Sequence, residues 1–274
     1  MGKVQSGVDP KESSVEGPVT LSRIIARLDI KGDSLVKGLQ LEGLRRIGDP
    51  LEFAQKYYLS GADEILLVDV VASLYSRSHL YNMISYITTN LRVPVTVVGG
   101  IKSIDDARKV FSSGADKIGV NSAATRDKNF LNQISDRYGA QAVVSSIEAK
   151  YLKEDNDWFL FTESGRNNSE VSLSKWLDGL MNMNIGETLV TSVDKDGMRK
   201  GPDIDLITKS RELTNCPLLY SGGVTTQTDL EKVIELGADG VVIGSALHYE
   251  NLNIADCKSN LIDAGFSVRN AGKL

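Results

Sequence analysis

Two acidic residues stand at related places in this chain, and each closes a run of apolar residues. Asp29 ends RIIARLD and Glu148 ends AVVSSIE, with Lys31 and Lys150 two positions further on. Carboxylates on opposite sides of a bound molecule can divide labour as general acid and general base. The alternative is structural support, each acid pairing with its neighbouring lysine. Lys37 lies in the stretch KGDSLVKGLQLEGLRRIG (Lys31–Gly48) and can reach a phosphate or the reacting centre. Two glycine pairs, Gly99-Gly100 and Gly222-Gly223, are each followed 22 residues on by a small turn, Asn121-Ser122 and Gly244-Ser245. Glycine lets a backbone come close to an anion, and free N–H groups at a following helix start point at it. A single Gly-Gly reads as a tight turn. Two in register point to two phosphate sites. Asp69, Ser73, Thr191, Asp194, Asp196 and Ser221 also close apolar runs, where they can orient substrate or cap helices. His79 and His248 stand alone, so neither a metal site nor a cofactor is expected, and His248 is expected to pack or cap near the last helix.

Eight short apolar, β-branched runs must position these residues: Arg23–Ile30, Glu64–Val70, Val93–Val98, Lys117–Val120, Ala142–Glu148, Glu187–Val193, Pro217–Ser221 and Gly240–Gly244. Helical stretches fall between them. In DPLEFAQKYYLSG, Asp49 caps, Pro50 opens and Gly61 stops a helix. Near-continuous apolar strands alternating with helices predict a parallel sheet covered by helices. Eight such units predict an α/β fold closed as a (β/α)8 TIM barrel. The chain also repeats itself. VVGGIKSIDDARKVFSSGADKIGVNSAA returns as YSGGVTTQTDLEKVIELGADGVVIGSAL, 123 positions on and without a gap. The barrel is therefore an internal half-barrel duplication, and each half should bind one phosphate of a bisphosphorylated small molecule. Barrel sites lie where the strands end, which is where Asp29 and Glu148 fall. Lys31–Gly48 is long for a strand-to-helix loop and is expected to act as a mobile lid. Tyr151–Gly165 alternates around an Asp-Asn-Asp turn and reads as an inserted hairpin, possessing either a surface or a site role. At the opposite end, strand starts carry Arg23, Glu64, Lys117 and Glu187, which predicts a ring of salt bridges across the barrel floor.

The 274 residues fit one barrel domain over 21–274, after a polar N-terminal arm over 1–20 that carries no apolar core. Apolar residues make up 41% and charged residues 24%, the ordinary balance of a soluble globular protein. A net charge of −5 argues against a nucleic-acid partner. No run is long enough for a membrane span or shaped like a signal peptide. Two cysteines, Cys216 and Cys257, are too few for a disulfide framework, and the expected location is cytoplasmic.

Taken in order, RIIARLDIK, LVKG, DEILLVDVVAS, GADKIGVNSAA, AQAVVSSIEAK, FTESGRNN, GETLVTSVDKDG and GSALH resemble the cyclase subunits of imidazole glycerol phosphate synthase, over about residues 22–270. The resemblance implies that Asp29 and Glu148 are the catalytic acid and base and that Lys37 is a lid lysine. It implies phosphate grips at Gly100, Asn121 and Ser122 in one half and at Asp196, Gly197, Gly223, Gly244 and Ser245 in the other. It makes the ring of Arg23, Glu64, Lys117 and Glu187 a gate for ammonia made by a glutaminase subunit docked below. The implied reaction is ammonia-dependent cleavage and ring closure of a phosphoribulosyl aminoimidazole carboxamide nucleotide. Three positions depart from the family. Glu148 stands for an aspartate, Arg27 for a cysteine facing the barrel interior, where a buried arginine is expected to pair with Glu148 or Asp29, and Val98-Gly99-Gly100 for a glycine triplet. Gly119 replaces a small polar residue and is expected to make room for Arg27. These changes also fit a cyclase-like paralogue that delivers ammonia for amidation of a sugar in surface-glycan synthesis, or a barrel that mainly activates its glutaminase. A bisphosphate isomerase barrel would share the duplication but not the floor gate.

Overall fold

The computed structural model describes residues 21–71 and 78–271, so the N-terminal arm and Ser73 lie outside the described residues. Twelve strands follow one another: β1 (Arg23–Lys31), β2 (Ser34–Leu39), β3 (Glu42–Gly48), β4 (Glu64–Asp69), β5 (Val95–Val98), β6 (Lys117–Val120), β7 (Val143–Leu152), β8 (Asp157–Thr162), β9 (Asn167–Ser172), β10 (Glu187–Ser192), β11 (Leu218–Ser221) and β12 (Gly240–Ile243). Among the described residues the α-helices are α1 (Pro50–Leu59), α2 (Ser78–Asn90), α3 (Ile104–Ser112), α4 (Ser122–Arg126), α5 (Asn129–Tyr138), α6 (Leu173–Leu180), α7 (Ile204–Glu212), α8 (Gln227–Glu235), α9 (Ser245–His248) and α10 (Ile254–Asp263).

Eight strands pair in parallel in the order β1-β4-β5-β6-β7-β10-β11-β12, and β12 returns to β1, so the sheet closes. These are the eight apolar runs of the sequence, within a few residues at each end. Closure leaves no edge, and every strand buries both faces, which is why the runs are apolar almost throughout. The outer faces pack against the helices around Ile24, Leu28, Ile65, Val97 and Tyr220.

The duplication has a physical expression at the strand starts. Gly-Ala-Asp precedes three strands, and each aspartate accepts from the backbone N–H at the start of a neighbouring strand. Asp63 takes Ile24 N–H, Asp116 takes Val95 N–H and Asp239 takes Leu218 N–H, all at 2.8 Å. Helix starts are capped by side chains in the same repetitive way. Asp49 accepts from Leu51 N–H before α1, Ser103 from Asp106 N–H before α3, and Thr226 makes a reciprocal box with Asp229 before α8.

Two antiparallel hairpins leave the barrel rim. β2 and β3 continue β1 beyond the mouth, and β8 and β9 continue β7. The stretch expected to act as a lid is built as the first of these hairpins, with Leu35 and Val36 buried at its root. The second hairpin falls where the alternation of Tyr151–Gly165 placed it and extends to Ser172.

Candidate functional site

Period-two alternation decides what lines the barrel interior. Climbing β1, the inward residues are Arg23, Ile25, Arg27 and Asp29. At the floor, Arg23 bonds Glu64 at 3.0 Å and Glu187 at 2.7 Å, while Lys117 bonds Glu64 at 2.7 Å and Glu187 at 2.9 Å. Four charges of alternating sign therefore close a ring, drawn from β1, β4, β6 and β10. Thr96 Oγ1 donates to Glu64 Oε1 at 2.5 Å and holds that carboxylate in place. Burial works against the Arg23 charge, but Glu187 and Glu64 outweigh it and raise the guanidinium pKa above its ordinary value.

Above the ring lies an apolar layer of Ile25, Leu66, Val98, Val144, Leu189, Leu219 and Val242. Gly119 belongs to this level, and the room it leaves is filled by Val98, not Arg27. A Cβ on Gly119 would stand 2.6 Å from Val98 Cγ2. The two residues are register partners on β5 and β6. The valine within the glycine triplet and the glycine at 119 therefore compensate each other.

Polar groups begin again at the mouth. Asp29 and Arg27 are buried, as are Lys37 on β2 and Asp196 after β10. Arg27 Nε donates to Asp29 Oδ1 at 2.7 Å, and Arg27 Nη1 donates to Ser221 Oγ at 3.3 Å. Lys37 Nζ donates to Asp29 Oδ2 at 2.8 Å and to Asp196 at 3.0 Å and 3.1 Å. The alternative pairing with the strand lysines does not form: Asp29 is paired with Arg27 and Lys37, and Lys150 lies over the Phe161 ring at 5.3 Å. Burial alone would raise the Asp29 pKa. Arg27 and then Lys37 outweigh it and hold this carboxyl well below the usual range.

Glu148 faces a different environment. Its Oε2 accepts from the backbone N–H of Gly165 at 2.8 Å. That N–H comes from the β8–β9 turn, where Glu163, Ser164 and Gly165 all have positive φ. Burial pushes the Glu148 carboxyl up to about 7, against the opposing pull of Gly165 and Arg27. Asp29, Glu148, Arg27, Asp196 and Ser164 line one cavity. A buried carboxyl and a half-buried one, of contrasting acidity, thus share a single space, the arrangement that acid–base chemistry needs.

The expected grips lie on either side of this cavity. Asp196, Gly197, Gly223, Gly244 and Ser245 come together around one small cleft, joined by Arg199 and Thr225. On the other side, Gly100 follows β5 and Asn121-Ser122 follows β6. The repeat is exact in backbone terms: Asn121 has φ −112° and ψ −87°, and Gly244 has φ −113° and ψ −84°. Gly99 and Gly222 have φ of 99° and 124°, a region that admits glycine and few other residues. Each hairpin reaches the grip of the other half. The β2–β3 hairpin donates Gln40 N–H to Asp196 O at 2.8 Å. The β8–β9 hairpin accepts from Asn121 Nδ2 at Phe161 O, 2.9 Å, and donates Glu163 N–H to Ser122 Oγ at 3.3 Å.

Other polar residues divide between site and scaffold. Ser221 supports Arg27, and Thr191 is buried on the inward face of β10. Asp194 accepts from Tyr151 N–H at 2.8 Å and ties the β7 extension to the β10 loop, and Asp69 accepts from Val71 N–H at 3.2 Å. His248 packs as expected, stacked on Tyr57 with its Nδ1 2.6 Å from the tyrosine hydroxyl. Burial pushes its pKa down to about 4. Sequence reasoning missed Arg199 and Gly165. The basic residue after Asp-Gly at 196–197 signalled the first, but Gly165 gains its role from the hairpin's return path. No helix among the described residues is long and apolar enough to cross a membrane.

The signature of the family described as "Histidine biosynthesis protein" matches residues 23–253. The imidazole glycerol phosphate synthase subunit HisF of Legionella pneumophila is 43% identical over 202 residues, 74% of this chain and 95% of that protein. The protein of the same name from Natranaerobius thermophilus is 37% identical, over 90% of this chain and 98% of its own. That of Sulfurisphaera tokodaii is 35% identical, over 92% and 100%.

Proposed function

Since this chain belongs to the histidine biosynthesis protein family, we propose that it is an ammonia-dependent cyclase and lyase of the imidazole glycerol phosphate synthase type. It converts a phosphoribulosyl aminoimidazole carboxamide nucleotide to imidazole glycerol phosphate and an aminoimidazole carboxamide ribonucleotide. The observation that carries this reading is the cavity shared by Asp29 and Glu148. The two glycine-built turns flank it and suit a substrate with a phosphate at each end. Gly100, Asn121 and Ser122 grip one phosphate, and Asp196, Gly197, Gly223, Gly244 and Ser245 frame the other. With both ends held, the reacting atoms lie between two carboxylates, and the entropy of alignment is lost on binding rather than in the chemical step. Lys37 keeps Asp29 and Asp196 in place and supplies positive charge at the reacting centre.

Ammonia arrives from below. A glutaminase subunit docks on the floor face, and Arg23, Glu64, Lys117 and Glu187 form the gate. The apolar layer above them passes a small neutral molecule and holds back ions, because a bare charge in an apolar space is costly. None of the observations favours sugar amidation, and the named relatives weigh for the cyclase.

The test is turnover by the purified chain of the phosphoribulosyl substrate with ammonium salt at alkaline pH, followed by loss of substrate absorbance. Turnover is expected with free ammonium alone, and with glutamine only when the glutaminase subunit is added. No turnover by the wild type, with none restored by Glu148→Asp, would overturn the assignment.

A further inference from the structure

The two carboxyls that share the cavity are held by different kinds of partner. Both oxygens of Asp29 accept from cations, Oδ1 from Arg27 at 2.7 Å and Oδ2 from Lys37 at 2.8 Å. Glu148 forms no ion pair among the described residues and takes its hydrogen bond from a neutral backbone N–H, that of Gly165. Arg27 is itself fixed. It is buried, spans Asp29 and Ser221, and lies 4.0 Å from Asp196. We propose that Glu148 is the one carboxyl of this site that exchanges protons with the substrate, while Arg27 is a positioning residue that keeps Asp29 a fixed anion.

This rests on the reading of the cavity as the reacting centre, and it departs from an even division of acid and base between two carboxyls. A proton can settle on Asp29 only if Arg27 or Lys37, both buried, gives up a charge-assisted bond. Neither cation has another full partner waiting: Lys37 is already shared with Asp196, and Asp196 is 4.0 Å from Arg27. Glu148 can be neutral or charged without breaking an ion pair. The charged groups that face it are Arg27 on β1 and Asp196 after β10, which act in opposite directions, while the Asn121 amide offers a further neutral hydrogen bond. Lys150 on its own strand is engaged with Phe161. The carboxyl pushed by burial to about 7 is the one poised to give and take a proton near neutrality, and Asp29 lies far below it. Glu148 then accepts a proton in one step and returns it in another. Asp29 contributes a constant negative field.

The proposal is tested on the full chain by carbon-13 labelling of aspartate and glutamate side-chain carboxyls. Asp29→Asn and Glu148→Gln assign the two resonances, which are followed from about pH 4 to about pH 9. The Glu148 resonance should titrate near neutrality, and the Asp29 resonance should stay at its ionised position throughout. Arg27→Met should move the Glu148 midpoint upward and let Asp29 begin to protonate at the acid end, and Arg27→Lys should largely restore both. Titration of wild-type Asp29 inside this window, or a Glu148 that stays ionised across it, overturns the proposal. In kinetics at constant free ammonia, Glu148→Gln should lower kcat by about 100-fold or more. A wild-type profile that needs two titrating carboxyls overturns the proposal as well. Since the resonances are read without turnover, failure of the cyclase assay would leave them free to decide this point.

Discussion

At the scale of single residues, Glu148 and Asp29 differ by their company more than by their chemistry. Both are enclosed at the barrel mouth, and burial pushes both upward. Only Asp29 has two cations to reverse that push. A stability consequence follows for Glu148. Its pKa in the folded chain is raised from 4.5 to about 7, so the folded state holds the proton more tightly than the unfolded one. The neutral carboxyl therefore contributes stability that is complete below the ordinary value and is lost as pH rises through about 7. Denaturant unfolding of the wild type and of Glu148→Gln should show a gap that changes over this window, by roughly 3 kcal/mol at most. Parallel stability curves would show that Glu148 is not desolvated. Arg27 illustrates the same dependence on company. A buried guanidinium loses hydration, and Asp29 and Asp196 more than replace it, raising its pKa further.

At the scale of elements, the two hairpins do more than decorate the rim. One sets Lys37 on Asp29, and the other sets the Gly165 N–H on Glu148. Each also reaches the turn proposed to bind phosphate in the opposite half. This cross-over follows from the barrel's order. β1 neighbours β12, so its hairpin overhangs the second grip, and β7 neighbours β6, so its hairpin overhangs the first. Gly197 lies at one such junction. Its φ is 71°, and a Cβ there would collide with the carbonyl oxygen of Gly38 on β2. Gly197→Ala should cost about 1–3 kcal/mol of stability. It should also raise KM for the bisphosphate substrate by about tenfold, the loss of roughly one good hydrogen bond to a charged group. Unchanged KM in a stable variant would separate the hairpin from the phosphate grip.

At the scale of the whole molecule, the barrel stacks three kinds of surface along its axis. Paired charges close the floor, branched aliphatics fill the middle, and charged groups return at the mouth. From Arg23 to Asp29 is six residues, or roughly 16 Å of height once strand tilt is allowed for. A group at the floor is thus too far from the mouth to touch it, and the proposed gate would act there through what it admits. Lys117 bonds both glutamates of the ring. Lys117→Ala should lower glutamine-dependent turnover in the complex with the glutaminase, while turnover on added ammonium stays near wild type. Equal loss on both ammonia sources would remove the gate assignment and leave the ring a purely stabilising network. The half-barrel repeat supplies the rest of the plan, since the same turn geometry at Asn121 and Gly244 places two like sites across one axis.

Local chemistry made much of this legible in one dimension. Strand period, glycine pairs and the in-register repeat are properties of neighbouring residues, so they marked the eight strands, the paired turns and the inward column of β1. The ring of Arg23, Glu64, Lys117 and Glu187 was legible because each residue opens a strand, and closure brings strand starts together. The partners were not legible in this way. Period two narrows the partner of Arg27 to Asp29 or Glu148, and the structure makes it Asp29. The return of β2, which adds Lys37 to Asp29, and the hairpin that brings the Gly165 backbone to Glu148 are not visible in the sequence. The Lys31–Gly48 stretch takes hairpin form because antiparallel pairing satisfies its backbone groups, which composition does not reveal. The place expected for Arg27 beside Gly119 went to Val98, because register set those two residues opposite each other. The sequence by itself determined the strands, the repeat and the kinds of group available at the barrel's two ends. Only the tertiary structure decided which charges neutralise which, because that depends on distances and burial created by closing the sheet.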